Sequence, residues 1–144
     1  MWKADALNVV GWCAARLGDF DTAREHCHAA LALNRHHHNP NGEAAALDSL
    51  GFIAERLGDH EQAVGHYYEA LVLRRTLGYS YQVAETLDNL GRTHAVLGRH
   101  DQACAAWLEA LELYRELGRT IDAERVQRKL DDVDTFTATG PNGA

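Results

Sequence analysis

Three groupings of side chains in this chain have types and spacing that could do chemistry. His36-His37-His38 sets three imidazoles in a row, and adjacent imidazoles can bind a transition metal. His100 and Cys104 stand at i and i+4, which on a helix places them on one face, so that a thiol nucleophile and an imidazole base could meet. Cys13 and Cys27 fall on paired helices and could approach one another. Each grouping also has a plainer reading. The histidine run has no Cys or acid beside it and lacks the ligand set of a zinc site. Its last two members stand where residues 77–78 and 117–118 are Leu-Gly; a divergent helix exit running into Asn39-Pro40-Asn41-Gly42 explains it without metal. Cys104 adjoins the small residue Ala103, has no evident third group to orient the pair, and reads as a small buried hydrophobe; so do Cys13 and Cys27. His26, His28, His60, His66 and His94 read as surface or helix-packing residues. The chain has no Gly-rich phosphate loop, serine nucleophile elbow or HExxH motif. The expectation is a non-enzyme with no catalytic residues, no metal and no cofactor.

The elements that would position these residues repeat. Leu7, Val10, Gly11, Gly18, Ala23, Cys27, Ala30, Leu31 and Leu33 recur as Leu47, Leu50, Gly51, Gly58, Ala63, Tyr67, Ala70, Leu71 and Leu73. They recur again as Leu87, Leu90, Gly91, Gly98, Ala103, Trp107, Ala110, Leu111 and Leu113. Self-similarity at a fixed period is the signature of a repeat array. Each copy reads as two amphipathic helices: Leu47, Leu50, Gly51 and Ala54 keep helical rather than strand spacing. Leu-Gly ends the first helix at 17–18, 57–58 and 97–98, because glycine can close a last helical turn in the left-handed conformation. Asp21, Glu61 and Asp101 then suit the positive end of the second helix. Gly11, Gly51 and Gly91 would let paired backbones approach, while Cys27, Tyr67 and Trp107 would fill the gap to the neighbouring repeat. Helices are expected at 4–17, 21–36, 43–57, 61–77, 81–97, 101–117 and 121–133. The last carries Ile121, Val126, Leu130 and Val133 on one face and charge elsewhere, as a terminal cap does.

The totals agree with a single domain. The chain has 144 residues, 46% hydrophobic and 24% charged, ordinary values for a globular protein. The net charge of −7 argues against direct nucleic-acid contact, which needs clustered Lys and Arg. Three cysteines without a CxxC point away from a disulfide framework and toward the cytoplasm. No apolar run is long enough to span a bilayer, and no membrane partner is expected. The apolar N-terminus is in repeat register, so it reads as structure rather than a signal peptide. A TPR-like domain over 1–133 is expected, with repeats of about 4–42, 43–80 and 81–119 and a capping helix at 120–133. The small, polar 134–144 segment reads as a disordered tail.

The pattern resembles the tetratricopeptide (TPR) repeat, on Leu47, Leu50-Gly51, Ala63, Tyr67 and Ala70 and their counterparts across residues 4–133. The period here is longer than the family's usual ~34 residues, and the repeat-ending proline is absent apart from Pro40. The resemblance implies an all-α, right-handed α-solenoid of antiparallel helix pairs, a TPR-like superhelix. Exits of the form "ALxLxRxLG" look like two groups within the family. One is the C-terminal sensor part of bacterial transcriptional regulators, of the SARP type and the large LuxR type. The other is the scaffold group that organises G-protein and cell-polarity partners.

In this family the first helices line a concave groove. Carried over by register, the groove holds Asn8, Asp48 and Asp88 at one height; Trp12, Phe52 and Arg92 one turn on; and Arg16 and Arg56 beyond, with Glu55 and Glu85 nearby. Asn and Asp could hold an extended peptide backbone, and the two aromatics offer flat apolar surface. Chaperone-binding members use a basic clamp, but the equivalent places here hold Asp48 and Asp88, so a basic or amide-rich partner is the better electrostatic match. The function implied is non-catalytic protein or peptide binding, as the regulatory or sensor domain of a bacterial transcriptional regulator. The alternatives are a cytoplasmic signalling adaptor and a self-assembling scaffold, a homodimer through the uncapped N-terminal repeat.

Overall fold

Helix boundaries are set by punctuation that returns every twenty residues. In the computed structural model, which describes residues 2–138 and the side chains of 3–133, six helices begin at Phe20, Pro40, His60, Ser80, His100 and Thr120. Among the described residues there are seven helices and no strand, and the expected all-α class holds.

The first unit spans Met1–Tyr79 and contains α1 (Trp2–Arg16), α2 (Phe20–His36), α3 (Pro40–Arg56) and α4 (His60–Leu77). Asp19, Asn39 and Asp59 stand before α2, α3 and α4 and accept from the backbone N–H of Thr22, Gly42 and Gln62, satisfying donors that the helix itself leaves open. The exit of α3 is a Schellman turn: Asp59 N–H donates to Ala54 O at 2.8 Å, with Gly58 at φ 79°. The Asn39-Pro40-Asn41-Gly42 stretch, expected as loop, instead starts α3. Asn39 caps it and Pro40 occupies the first turn, where a missing N–H costs nothing.

Within this unit α2 packs on α1 and on α3, and α3 packs on α4. Ala23, Cys27, Ala30, Leu47, Leu50, Ile53 and Ala70 form its core. At Gly11 the paired backbones approach as expected, with Ala23 O 3.0 Å and Cys27 N 3.2 Å from where a Cβ would stand, and the glycines also seat large side chains of the second helix. A Cβ at Gly51 would lie 2.6 Å from Tyr67 Cε1, and one at Gly11 would lie 2.6 Å from Cys27 Sγ. Cys27 and Tyr67 therefore seat on the glycine of their own helix pair, and Cys27 also meets the next repeat, where Ser49 on α3 hydrogen-bonds it.

The second unit spans Ser80–Ala144 and holds α5 (Ser80–Val96), α6 (His100–Glu116) and α7 (Thr120–Ala138). Trp107 seats on Gly91 in the same way and donates from Nε1 to Asp88 O at 3.3 Å. α6 packs on both α5 and α7. α7 buries Ala123, Val126 and Leu130. Ile121, expected on that face, is 79% exposed, because the buried stripe begins at Ala123 and 121 falls to its side. α7 continues to Ala138, beyond the expected end at 133; of the segment read as a disordered tail, 139–144 lies outside the described residues.

Candidate functional site

The first helices carry the residues read as a groove, and in the first unit these fall into two matching rungs. On α1, Trp12 is 42% exposed, and the Arg16 guanidinium lies 4.9 Å from its ring centroid. One repeat later, on α3, Arg56 lies 5.3 Å from the Phe52 ring. Both are cation–π stacks at i, i+4 on a helix face. Phe52 is half-buried and also packs against the core of the unit, so part of its surface is structural. Arg16 and Arg56 are exposed.

The polar members are more engaged than a groove would leave them. Asp48 pairs with Arg74 on α4 at 2.5 Å, with side-chain exposures of 20% and 10%. Glu55 accepts from the Tyr67 hydroxyl at 2.9 Å. Asn8 is half-buried, and its Oδ1 is enclosed with no hydrogen-bond partner.

In the second unit, Asp88 is nearly closed off. Arg125 Nη2 donates to its Oδ2 at 2.9 Å and Lys129 Nζ to its Oδ1 at 2.6 Å. Burial alone would raise the Asp88 carboxyl, but the hydrogen bonds and charges of Lys129 and Arg125 outweigh it and hold the group below the ordinary carboxylate value. Glu85 is exposed, and Arg92 is half-buried and donates to Asn89 Oδ1 at 3.1 Å.

This overturns the expectation of a basic or amide-rich partner. That expectation needed open carboxylates at 48 and 88, and both are neutralised within the chain. Arg125 and Lys129, read from sequence as part of a polar outer face, are instead the cations that clamp Asp88. The signal was available: they stand at i, i+4 and flank the buried Val126 and Leu130, so they border the buried stripe. Arg74 was also missed. It occupies the register position of Asn34 and Tyr114 on the second helices, all three buried.

The groupings that suggested other chemistry lie apart. His36 and His37 rings meet edge to face at 5.2 Å, while His38 takes φ 51°, the left-handed conformation that Gly78 and Gly118 take in the later copies. Among the described residues no group of three His, Cys, Asp or Glu side chains is placed to hold a metal ion. None of the three cysteines is in a disulfide; Cys13 is exposed, Cys104 half-buried and Cys27 buried. Burial pushes the Cys27 thiol up to about 11, against a lowering hydrogen bond from Ser49, so at neutral pH it is a poor nucleophile. Cys104 and His100 share α6, and His100 lines a small cleft with Trp107, Lys129 and Asp132. His94 is buried, whereas His28 is exposed and His26, His60 and His66 are half-buried.

The Tetratricopeptide repeat family model matches residues 2–76 and again residues 42–116, two windows offset by the same forty residues that separate Gly11 from Gly51. The chain belongs to the tetratricopeptide repeat family. No curated protein sequence matches it. Among solved structures, the TPR domain of Arabidopsis FLU aligns with a TM-score of 0.75 and 16% identity, over 80% of this chain and 97% of that one. BtubC (BKLC) from P. vanneervenii aligns with a TM-score of 0.63 and 20% identity, over 96% of this chain and 66% of that one. At such identities the likeness gives the fold, that of a TPR α-solenoid, and nothing finer. Domains of this family generally mediate protein–protein interaction and are typically non-catalytic. Among the described residues no helix is long and apolar enough to cross a membrane.

Proposed function

We propose that this chain is a peptide-binding TPR module whose contact surface is the pair of aromatic–arginine rungs on α1 and α3. The observation that carries this is Trp12. It is large, apolar and 42% exposed, it lies under Arg16, and its counterpart one repeat on repeats the arrangement with Phe52 and Arg56. Aromatic and Arg side chains are over-represented among residues that dominate binding energy. With Asp48 paired to Arg74, the exposed charges of these rungs are Arg16 and Arg56, so the partner is an extended segment with acidic and apolar side chains. Asp88, held by Arg125 and Lys129, is not open to a partner. Peptides selected from a random library on the wild-type protein test the reading. They should be rich in Asp or Glu beside an apolar residue, and Trp12→Ala or Arg56→Glu should abolish their binding. Selected peptides that are basic, or that bind both variants undiminished, would refute it.

As the biological setting we favour the regulatory or sensor part of a bacterial transcriptional regulator, on the form of the helix exits. A DNA-binding segment encoded in the same reading frame tests this; its absence there would remove it.

One observation favours a second reading, self-association through α1. Val10 is 49% exposed, whereas its counterparts Leu50 and Leu90 are 3% and 1% exposed. Val9 is open on the same helix, and Leu17 is open in the turn that follows it. Sedimentation across a dilution series, on wild type and Val10→Asp, separates the readings. A dimer lost in the variant supports self-association, and a monomer at all concentrations excludes it.

A further inference from the structure

A second cleft, in a different part of the chain, has a charge and lining that the repeats do not predict. It lies where α6 hands over to α7, has a volume of about 520 Å³, and is lined by Arg115, Arg119, Thr120, Glu124, Gln127 and Arg128, with Gly118 and Ala123 beside them. That volume falls in the range of small-molecule sites, roughly 300–1,000 Å³. With Arg119 paired to Asp122, Arg115 and Arg128 face the single lining carboxylate of Glu124, a local excess of positive charge on a chain of net charge −7.

The same junction one unit earlier shows what has changed. Between α2 and α3 the register counterpart of Arg115 is Arg35, and it is neutralised by Glu43 at 2.9 Å and Glu69 at 3.4 Å. At the α6–α7 junction the counterpart of Glu43 is Ala123 and that of Leu47 is Gln127. The acid is gone, and among the described residues Arg115 Nη2 donates only to a neutral amide, Gln127 Oε1, at 3.2 Å. Gln127 is held in that sense by its own Nε2, which donates to Asp131 at 3.0 Å. The counterpart of Asp48 is Arg128, a reversal of sign; among the described residues Arg128 forms no ion pair. Arg119 is tied on one side to Asp122 at 3.2 Å and stacks over Tyr81 at 4.3 Å, which fixes its position at the mouth of the cleft.

We propose that this cleft binds a phosphorylated small molecule that also carries hydroxyl donors, the chemistry shared by sugar phosphates and nucleotides. Guanidinium forks match phosphate oxygens two at a time, and Arg115 and Arg128 are the anchors. Glu124, the carboxylate among them, accepts from the ligand's hydroxyls; against a bare phosphate it would only repel. The site is independent of the peptide surface on α1 and α3.

The test is calorimetric titration of the full chain with AMP, glucose 6-phosphate and inorganic phosphate at fixed ionic strength. It is paired with amide NMR shifts. One of the two organic phosphates should bind saturably with Kd below about 1 mM, shift residues 115–128, and bind more tightly than phosphate. Whichever of the two binds identifies the source. Arg128→Gln should weaken binding about tenfold or more, the loss of one charge-assisted contact. Gln127→Glu, which restores an acid beside Arg115 at nearly constant shape, should do the same, and thermal melting should show both variants folded. Binding equal for all three probes, unchanged in either variant, or mapped away from 115–128 would overturn the proposal.

Discussion

Lys129 Nζ and Asp88 Oδ1 stand 2.6 Å apart, joining α7 to the middle of α5 across a carboxylate whose side chain is 8% exposed. Arg125 holds the other oxygen, so the carboxylate is satisfied by two cations that themselves reach solvent, at 28% and 40% exposure. Removing one member of a buried pair costs about 3–5 kcal/mol when the other is left stranded. Here the stranded cations can turn to water, so Asp88→Ala is expected at or below the low end, about 2–3 kcal/mol, in urea unfolding. The acid limb follows from the direction of the shift. A carboxyl held below its ordinary value binds a proton less readily when folded, so its stabilisation is complete above the unfolded value near ~3.9. It is lost as pH falls through the lower folded value. Wild type should therefore lose more stability than Asp88→Asn between about pH 5 and pH 2; equal losses would show that the clamp contributes nothing.

Two glycines of one helix pair should respond to alanine with opposite signs. At Gly51 the new methyl would meet Tyr67 Cε1 at 2.6 Å and Cζ at 2.8 Å, and Tyr67 is 1% exposed and tied to Glu55, so its ring cannot swing away. Overpacking of this kind costs about 1–3 kcal/mol. At Gly65, inside α4, nothing lies within 4 Å of the new methyl, and the intrinsic preference of alanine for helix gives a gain of up to about 1 kcal/mol. Thermal melting of the two variants reads both signs, and a stabilised Gly51→Ala would contradict the packing described.

Most of the architecture was legible because it recurs. Gly11, Gly51 and Gly91 fixed the period, and the Leu-Gly pairs placed the first-helix ends to within a residue or two of those observed. What recurrence could not show was which side chains meet. Tyr67 and Trp107 were identified as large fillers; that each also closes on the glycine of its own pair is a contact between helices that no single-helix periodicity contains. The groove was legible only as a register. Trp12 with Arg16 and Phe52 with Arg56 could be aligned by number, and each pair does stack. Asp48 and Asp88 align equally well by number, but their partners Arg74 and Lys129 lie 26 and 41 positions along the chain. Pairing at that distance is decided by tertiary contact.

His38 and Arg99 both depart from the punctuation of the helix ends, and restoring the consensus should stabilise each. His38 takes φ 51° where the later copies have glycine, and a side chain there costs roughly 1–2 kcal/mol. His38→Gly is therefore expected to raise the unfolding free energy by about 1 kcal/mol, read from urea unfolding, with the α2 exit unchanged. Arg99 stands before α6 in the backbone conformation of Asp59 before α4, φ −89° against −93°, but makes no side-chain cap. Arg99→Asp supplies an acceptor for the open N–H groups and should add about 0.5–1 kcal/mol. A neutral or destabilised Arg99→Asp would show that the arginine's present contacts are worth as much as a cap.

The three cysteines should separate by reactivity as they separate by burial. A thiol reagent at pH 8 meets Cys13 on the exposed surface of α1 and Cys104 half-covered on α6, while Cys27 has no exposed area. Cys27 is protected twice, because the reagent needs the thiolate and the thiol is pushed up to about 11 by burial. Its labelling requires opening of the α1–α2 pair, since Gly11 lies against its sulfur and backbone. Timed labelling should give one fast site, one intermediate site and one that reacts only on the timescale of unfolding; Cys13→Ser should remove the fast phase alone. A Cys27 that reacts at the Cys13 rate would mean that the first helix pair is not closed in solution, and the cation–π rung built on Trp12 and Arg16 would lose the support that orients it.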